Sequence, residues 1–268
     1  MTTTPTNDPL IIALDVDSKA EADALVTALG DNATFYKVGM ELYAASGMDY
    51  VRSLIDRGKQ VFLDMKYYDI GETVRRAVAV AAKSGATFLT VHAVGQVMRA
   101  AVEGRGDSPM KLLAVTVLTS LDQKDLVEMG HTGTVSDLVA SRVVQARAAG
   151  IDGLVASPLE AAAIRQIAGP EAILVTPGVR SAGAAKGDQK RVATPVEALR
   201  DGANYLVIGR QVTRAADPVA AIAQIRAEIP SFPMTRFWSY PALPLTQENS
   251  IWPPPLVWRM RAASAASA

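Results

Sequence analysis

A closed (β/α)8 barrel is the fold class this sequence predicts, and three observations carry it. Short, β-branched apolar runs alternate with amphipathic helical segments, the pattern of a parallel sheet covered on its outer face by helices. Eight such strand-then-helix units fit between residues 8 and 230, close to the roughly 250 residues that one barrel usually takes. The runs end in ionisable or hydroxyl side chains: Asp15, Lys37, Asp64, Lys66, His92, Thr119, Ser120, Arg180 and Arg210. In a parallel barrel those ends share one mouth, so residues far apart in the chain face one pocket.

The elements follow in order. Leu10 to Asp15 is the first strand, and Asp17-Ser18 caps the helix Lys19 to Leu29. Thr34 to Gly39 is the second strand, with Lys37 near its end, and Met40 to Arg57 returns as a helix. Gln60 to Asp64 is the third strand, after which Ile70-Gly-Glu-Thr73 opens the helix Val74 to Lys83. Ala86 to His92 and the helix Gln96 to Glu103 make the fourth unit. Lys111 to Val117 is the fifth strand, with Leu118-Thr-Ser120 at its end and a long helix, Asp137 to Gly150, stopped by glycine. Gly153 to Ala156 is the sixth, with Ser157-Pro158 as cap and first position of the helix Leu159 to Ala168. Ala172 to Thr176, Tyr205 to Gly209 and the final helix Pro218 to Glu228 complete the series.

Composition narrows the function classes. Among 268 residues with 49% apolar content, 27 basic side chains balance 27 acidic ones, so no global field recruits nucleic acid or an anionic membrane. Without cysteine there are no disulfides and no thiolate metal sites. Met1 to Pro9 is polar, and no run approaches about 18 uninterrupted apolar residues, which predicts a cytoplasmic protein.

The densest chemistry lies in Gln60-Val-Phe-Leu-Asp-Met-Lys-Tyr-Tyr-Asp-Ile-Gly-Glu-Thr73, where Asp64, Lys66 and Asp69 fall within six positions. In an extended strand Asp64 and Lys66 share a face, roughly 6–7 Å apart along the chain, and can pair. With Lys37 added, acids and ammonium groups alternate, which would keep Lys66 protonated and ready to donate. No metal is expected, because lysines interrupt the acids where Mg²⁺ would want oxygen ligands. A second constellation suits phosphate: Thr176-Pro-Gly-Val-Arg180, then Gly187-Asp-Gln189 in a long Gly- and Ala-rich connection that reads as a lid, and Ile208-Gly-Arg210 after the last strand. Arg180, Gln189 and Arg210 would form the clamp.

These motifs, with Ala13-Leu-Asp15, Lys37-Val-Gly39 and Leu118-Thr-Ser120, together resemble the orotidine 5′-phosphate decarboxylase family from about residue 8 to 229, and the Asp-x-Lys-x-x-Asp core is the most specific of them. The resemblance implies cofactor-free decarboxylation of orotidine 5′-phosphate to uridine 5′-phosphate, the last step of de novo pyrimidine synthesis. It implies that Lys66 protonates C6 of the pyrimidine while Asp64 sits beside the departing carboxylate. Lys37 and Asp15 would hold the ribose hydroxyls, and Thr119 and Ser120 the pyrimidine. Arg180, Gln189, Arg210 and the Gly209 amide would take the phosphate. Asp69, accompanied by Thr73, would cross the interface of a homodimer to complete the partner's charged array.

Two alternatives stay open on the residues alone: a Mg²⁺-dependent sugar-phosphate decarboxylase or synthase on the same barrel, in which a glutamate is expected where Lys37 stands, and a non-catalytic barrel that binds nucleotide phosphate. His92 reads as a hydrogen-bonding residue near the mouth, and His131 as solvated in Gly130-His-Thr-Gly133. Residues 231–268 hold six of the fifteen prolines and all three tryptophans, and read as an irregular extension beyond the catalytic barrel.

Overall fold

Alternation along the strands decides which side chains fill the inside of the molecule and which face the helices. The computed structural model describes residues 8–181 and 192–229. Eight parallel strands close in sequence order: β1 (Leu10–Ala13), β2 (Phe35–Gly39), β3 (Gln60–Tyr67), β4 (Phe88–His92), β5 (Lys111–Val115), β6 (Gly153–Val155), β7 (Ile173–Thr176) and β8 (Tyr205–Ile208), with β8 pairing back onto β1. Ile11, Ala13, Phe35, Phe62, Phe88, Leu113, Val115, Val155, Val175 and Val207 point inward as one cluster. Their neighbours of opposite parity, among them Ile12, Tyr36, Val38, Leu63 and Leu89, join the larger layer between strands and helices.

The floor of the barrel is aromatic. Phe88 lies 5.2 Å from Phe35, 5.3 Å from Tyr205 and 5.9 Å from Phe62 between ring centroids. This plug closes the N-terminal end, so polar groups can enter the interior only from the C-terminal end.

Around the strands run α1 (Lys19–Leu29), α2 (Met40–Asp56), α3 (Gly71–Ala81), α4 (Gly95–Arg105), α5 (Gln123–Glu128), α6 (Val135–Ala148), α7 (Ala161–Ala168), α8 (Pro195–Arg200), α9 (Arg210–Thr213) and α10 (Pro218–Glu228). Helices α5, α8 and α9 were not expected from apolar periodicity: they have six, six and four residues, too short to show a repeat. None of the described helices is long and apolar enough to cross a membrane.

Charged groups at the bottom of the barrel serve the fold. Arg165, on α7, donates to the carbonyls of Gly169, Pro170, Ala172 and Gly202 and to Asn204 Oδ1, at 2.7 to 3.0 Å. It ties the turns entering β7 and β8 together. Asp152 does the same before β6, accepting from Arg105, from the Leu112 amide at 2.9 Å and from Lys111 at 3.4 Å.

Candidate active site

The third strand departs from the regular geometry expected for it, and the departure builds the site. It does not stop at Asp64 but continues to Tyr67 through a bulge. Pairing with β4 runs Phe62 to Phe88 and Leu63 to Leu89, then resumes at Tyr67 with Val91, so that Asp64, Met65 and Lys66 face Thr90 alone. Lys66 takes φ of 49°, the one positive φ among the described residues that are not glycine. For a residue with a Cβ this costs about 1 kcal/mol or more, and such strain gathers where function requires it.

The bulge brings the two side chains into contact. Lys66 Nζ donates to Asp64 Oδ1 at 2.8 Å; Lys37 Nζ donates to Asp15 Oδ1 at 2.7 Å and lies 3.6 Å from Asp64 Oδ2. Three strand ends thus supply a chain of alternating charge, Asp15, Lys37, Asp64, Lys66. Gly39 leaves it room, since a Cβ there would lie 3.1 Å from Lys37 Nζ and 3.4 Å from Asp15 Oδ1.

Electrostatics follow from this order. Burial alone would push the Asp64 carboxyl up, but the Lys37 and Lys66 ammonium groups, with hydrogen bonds from Lys66 and Thr90, outweigh it and hold its pKa below the ordinary value. Burial pulls Lys37 down, yet Asp64 and Asp15 more than offset that and raise it above its ordinary value. Both groups are therefore charged at neutral pH. His92, edge-on to the Tyr68 ring, is pulled down by burial and by the cations Arg142 and Lys66, so it is neutral there.

The array forms one wall of a cavity of about 440 Å³ at the C-terminal mouth. Asp15, Lys37, Asp64, Lys66, Thr119, Ser120, Arg180, Gly209 and Arg210, expected from widely separated segments, all line it. Apolar Val115, Leu118, Val155 and Pro177 line it as well, a surface suited to a planar ring. Asp69 and Thr73 do not. Asp69 is exposed, with its Oδ1 accepting from the Ile70 amide at 2.6 Å, and Thr73 is half-buried in α3. Gln189, expected in the lid, lies outside the described residues.

Three features were not foreseen. Thr90, inward-facing one step above the aromatic floor, bridges Lys66 and Asp64; the parity shared with Phe88 marks it as an interior hydroxyl. Gln211 exchanges two hydrogen bonds with Ser181, 3.2 Å from the Ser181 amide and 2.5 Å to its hydroxyl, which joins the residues directly after Arg210 and Arg180. Glu41 and Arg214 also reach the cavity from the first turn of α2 and the end of α9.

Alternating acids and ammonium groups beside two guanidinium groups, at the mouth of a closed parallel barrel, define a (β/α)8 barrel suited to a charged small molecule. Within that class the chain belongs to the orotidine 5′-phosphate decarboxylase / HUMPS family, whose model matches residues 8–225. It is 55% identical over 225 residues to an orotidine 5′-phosphate decarboxylase of Rhodopseudomonas palustris, covering 84% of this chain and 95% of the relative. To the protein of that name from Afipia carboxidovorans it is 54% identical over 231 residues, covering 85% and 98%. Among solved structures, orotidine 5′-phosphate decarboxylase from Lactobacillus acidophilus superposes with a TM-score of 0.73 at 36% identity, covering 83% of this chain and 99% of that one.

Proposed function

We propose that this chain decarboxylates orotidine 5′-phosphate to uridine 5′-phosphate, the last step of de novo pyrimidine synthesis, as a cytoplasmic homodimer that needs neither cofactor nor metal. The observation that carries the reading is the four-charge array set beside the Arg180 and Arg210 end of one cavity. Lys37 matters most against a Mg²⁺-dependent reaction: its ammonium sits between Asp15 and Asp64, in the space a divalent cation would need.

In this reading the phosphate is gripped by Arg180, Arg210, Gln189 and the Gly209 amide, far from the reacting carbon. Asp15 and Lys37 hold the ribose hydroxyls, and Thr119 and Ser120 meet the pyrimidine edge. That places the C6 carboxylate against Asp64, whose charge disfavours the bound carboxylate and not the neutral carbon dioxide that leaves. As the C6–carboxylate bond breaks, its electron pair stays on C6. Lys66 Nζ stabilises the developing carbanion and delivers the proton, leaving a neutral amine that solvent reprotonates. The barrier to be removed lies toward the top of the range of about 8–23 kcal/mol that enzymes supply, and phosphate contacts can contribute because they are remote from the chemistry.

Asp69 enters the scheme from a second copy. It sits outside its own cavity between Tyr68 and Ile70, apolar residues exposed at 67% and 69%, which a partner subunit would cover. Thr73 would accompany it. The test is direct: purified protein in excess EDTA, given orotidine 5′-phosphate, should release carbon dioxide and form uridine 5′-phosphate. Turnover that required added Mg²⁺, or that occurred only with a sugar phosphate, would contradict the reading.

A further inference from the structure

We propose that Thr90 is a positioning residue for decarboxylation, its buried hydroxyl clamping Asp64 and Lys66 into the arrangement that the reaction uses. The inference rests on the function proposed above. Thr90 has 0% exposure and does not line the cavity, so it acts through its neighbours rather than on substrate. Its Oγ1 accepts from the Lys66 amide at 2.9 Å and donates to Asp64 Oδ1 at 3.0 Å. That same Oδ1 accepts from Lys66 Nζ at 2.8 Å. Lys66 is thus held at both its backbone and its ammonium, with one carboxylate oxygen closing the ring.

The direction of these bonds follows from chemistry. An amide can only donate, so the hydroxyl receives it and has its single proton left for the carboxylate, which favours the ionised form of Asp64. The contact also replaces the strand ladder where the bulge interrupts it: three residues of β3 face Thr90 alone, and the hydroxyl satisfies the amide of the one with positive φ. Remove the hydroxyl and nothing shown on β4 holds Lys66 in its left-handed backbone. Asp64 would then be faced by Lys37 from β2 and Lys66 from its own strand, with Asp15 of β1 beyond Lys37 and His92 of β4 near Lys66.

Thr90→Val keeps the shape and deletes the hydroxyl; Thr90→Ser keeps the hydroxyl and deletes the methyl. Steady-state kinetics on orotidine 5′-phosphate, from acid to neutral pH, with uridine 5′-phosphate binding measured in parallel, tests the clamp. Thr90→Val should lose about tenfold or more in kcat with KM and product affinity within about threefold of the parent, and its acid limb should move to higher pH. Thr90→Ser should stay within about threefold of the parent in kcat. An unchanged kcat in Thr90→Val overturns the inference, as does an equal loss in both variants. Should Thr90→Val fail to melt cooperatively, Thr90→Ala replaces it against Thr90→Ser under the same criteria. A parent protein silent on orotidine 5′-phosphate would overturn the proposed function and the clamp with it, whereas an active parent with an indifferent Thr90→Val overturns the clamp alone.

Discussion

Lys66 combines a strained backbone with an ammonium held by one carboxylate, and both follow from the three-residue bulge between Leu63 and Tyr67. If it delivers the proton, Lys66→Ala should lower kcat by at least about a thousandfold, the upper part of what one proton donor contributes. Uridine 5′-phosphate should still bind that variant, because the phosphate and ribose contacts proposed above come from other strands. Asp64 gives a prediction on stability. Its pKa is depressed below the ordinary 3.8, so its contribution is present above that value and disappears as pH falls through the folded pKa. Lys37 is raised above 10.5, so its contribution is complete below that value and fades only as pH rises past the folded pKa. Denaturant midpoints should therefore fall less in Asp64→Asn than in the parent between about pH 6 and pH 2. Equal falls would mean that Asp64 is not held ionised by its neighbours. At this scale the sequence was informative about identity and less so about geometry. The order of acids and lysines is readable, but a regular strand would leave Asp64 and Lys66 roughly 6–7 Å apart along the chain, and only the bulge and Thr90 close that gap.

Elements place the arginines. The Gln211 side chain joins the first turn of α9 to Ser181 after β7, linking the residues next to Arg210 and Arg180. Gln211→Ala should raise KM for orotidine 5′-phosphate about three- to tenfold while leaving turnover of the unphosphorylated nucleoside unchanged. A parallel loss with both substrates would place Gln211 in general stability instead. At the opposite end, Arg165 binds four carbonyls and an amide oxygen while its pKa is drawn down to about 10 by burial, with Glu171 opposing. Arg165→Met should destabilise the fold by about 3 kcal/mol, measured by urea unfolding, since several buried carbonyls lose their donor at once. Legibility follows length here. Strands of four or more apolar residues and helices of eight or more announced themselves by periodicity. The short helices did not, although α8 carried a readable start signal in Thr194-Pro195 with Glu197, whose side chain and that of Thr194 cap each other's amides.

The whole molecule separates its charges by role. Arg165 and Asp152 at the floor staple turns, the aromatic plug seals the core, and the mouth gathers the charges that line the cavity. The gathering at the mouth was readable from the strand ends alone, because parallel closure forces them together, whereas the floor staples and the aromatic plug were not read. The role proposed for Asp69 comes from the family resemblance alone, since an exposed acid beside its own α3 carries no sign of whose cavity it would serve. In the function proposed, one site is assembled from the Asp15–Lys37–Asp64–Lys66 array of one chain and Asp69 of another, with Lys66 as proton donor. Mixing two inactive variants tests it most directly. Lys66→Ala and Asp69→Ala should each be inactive alone; unfolded and refolded together in equal amounts they should regain about a quarter of parental activity, because half the dimers are hybrids with one intact site each. Substantial activity in Lys66→Ala alone, or a mixture no more active than its components, would contradict the claim.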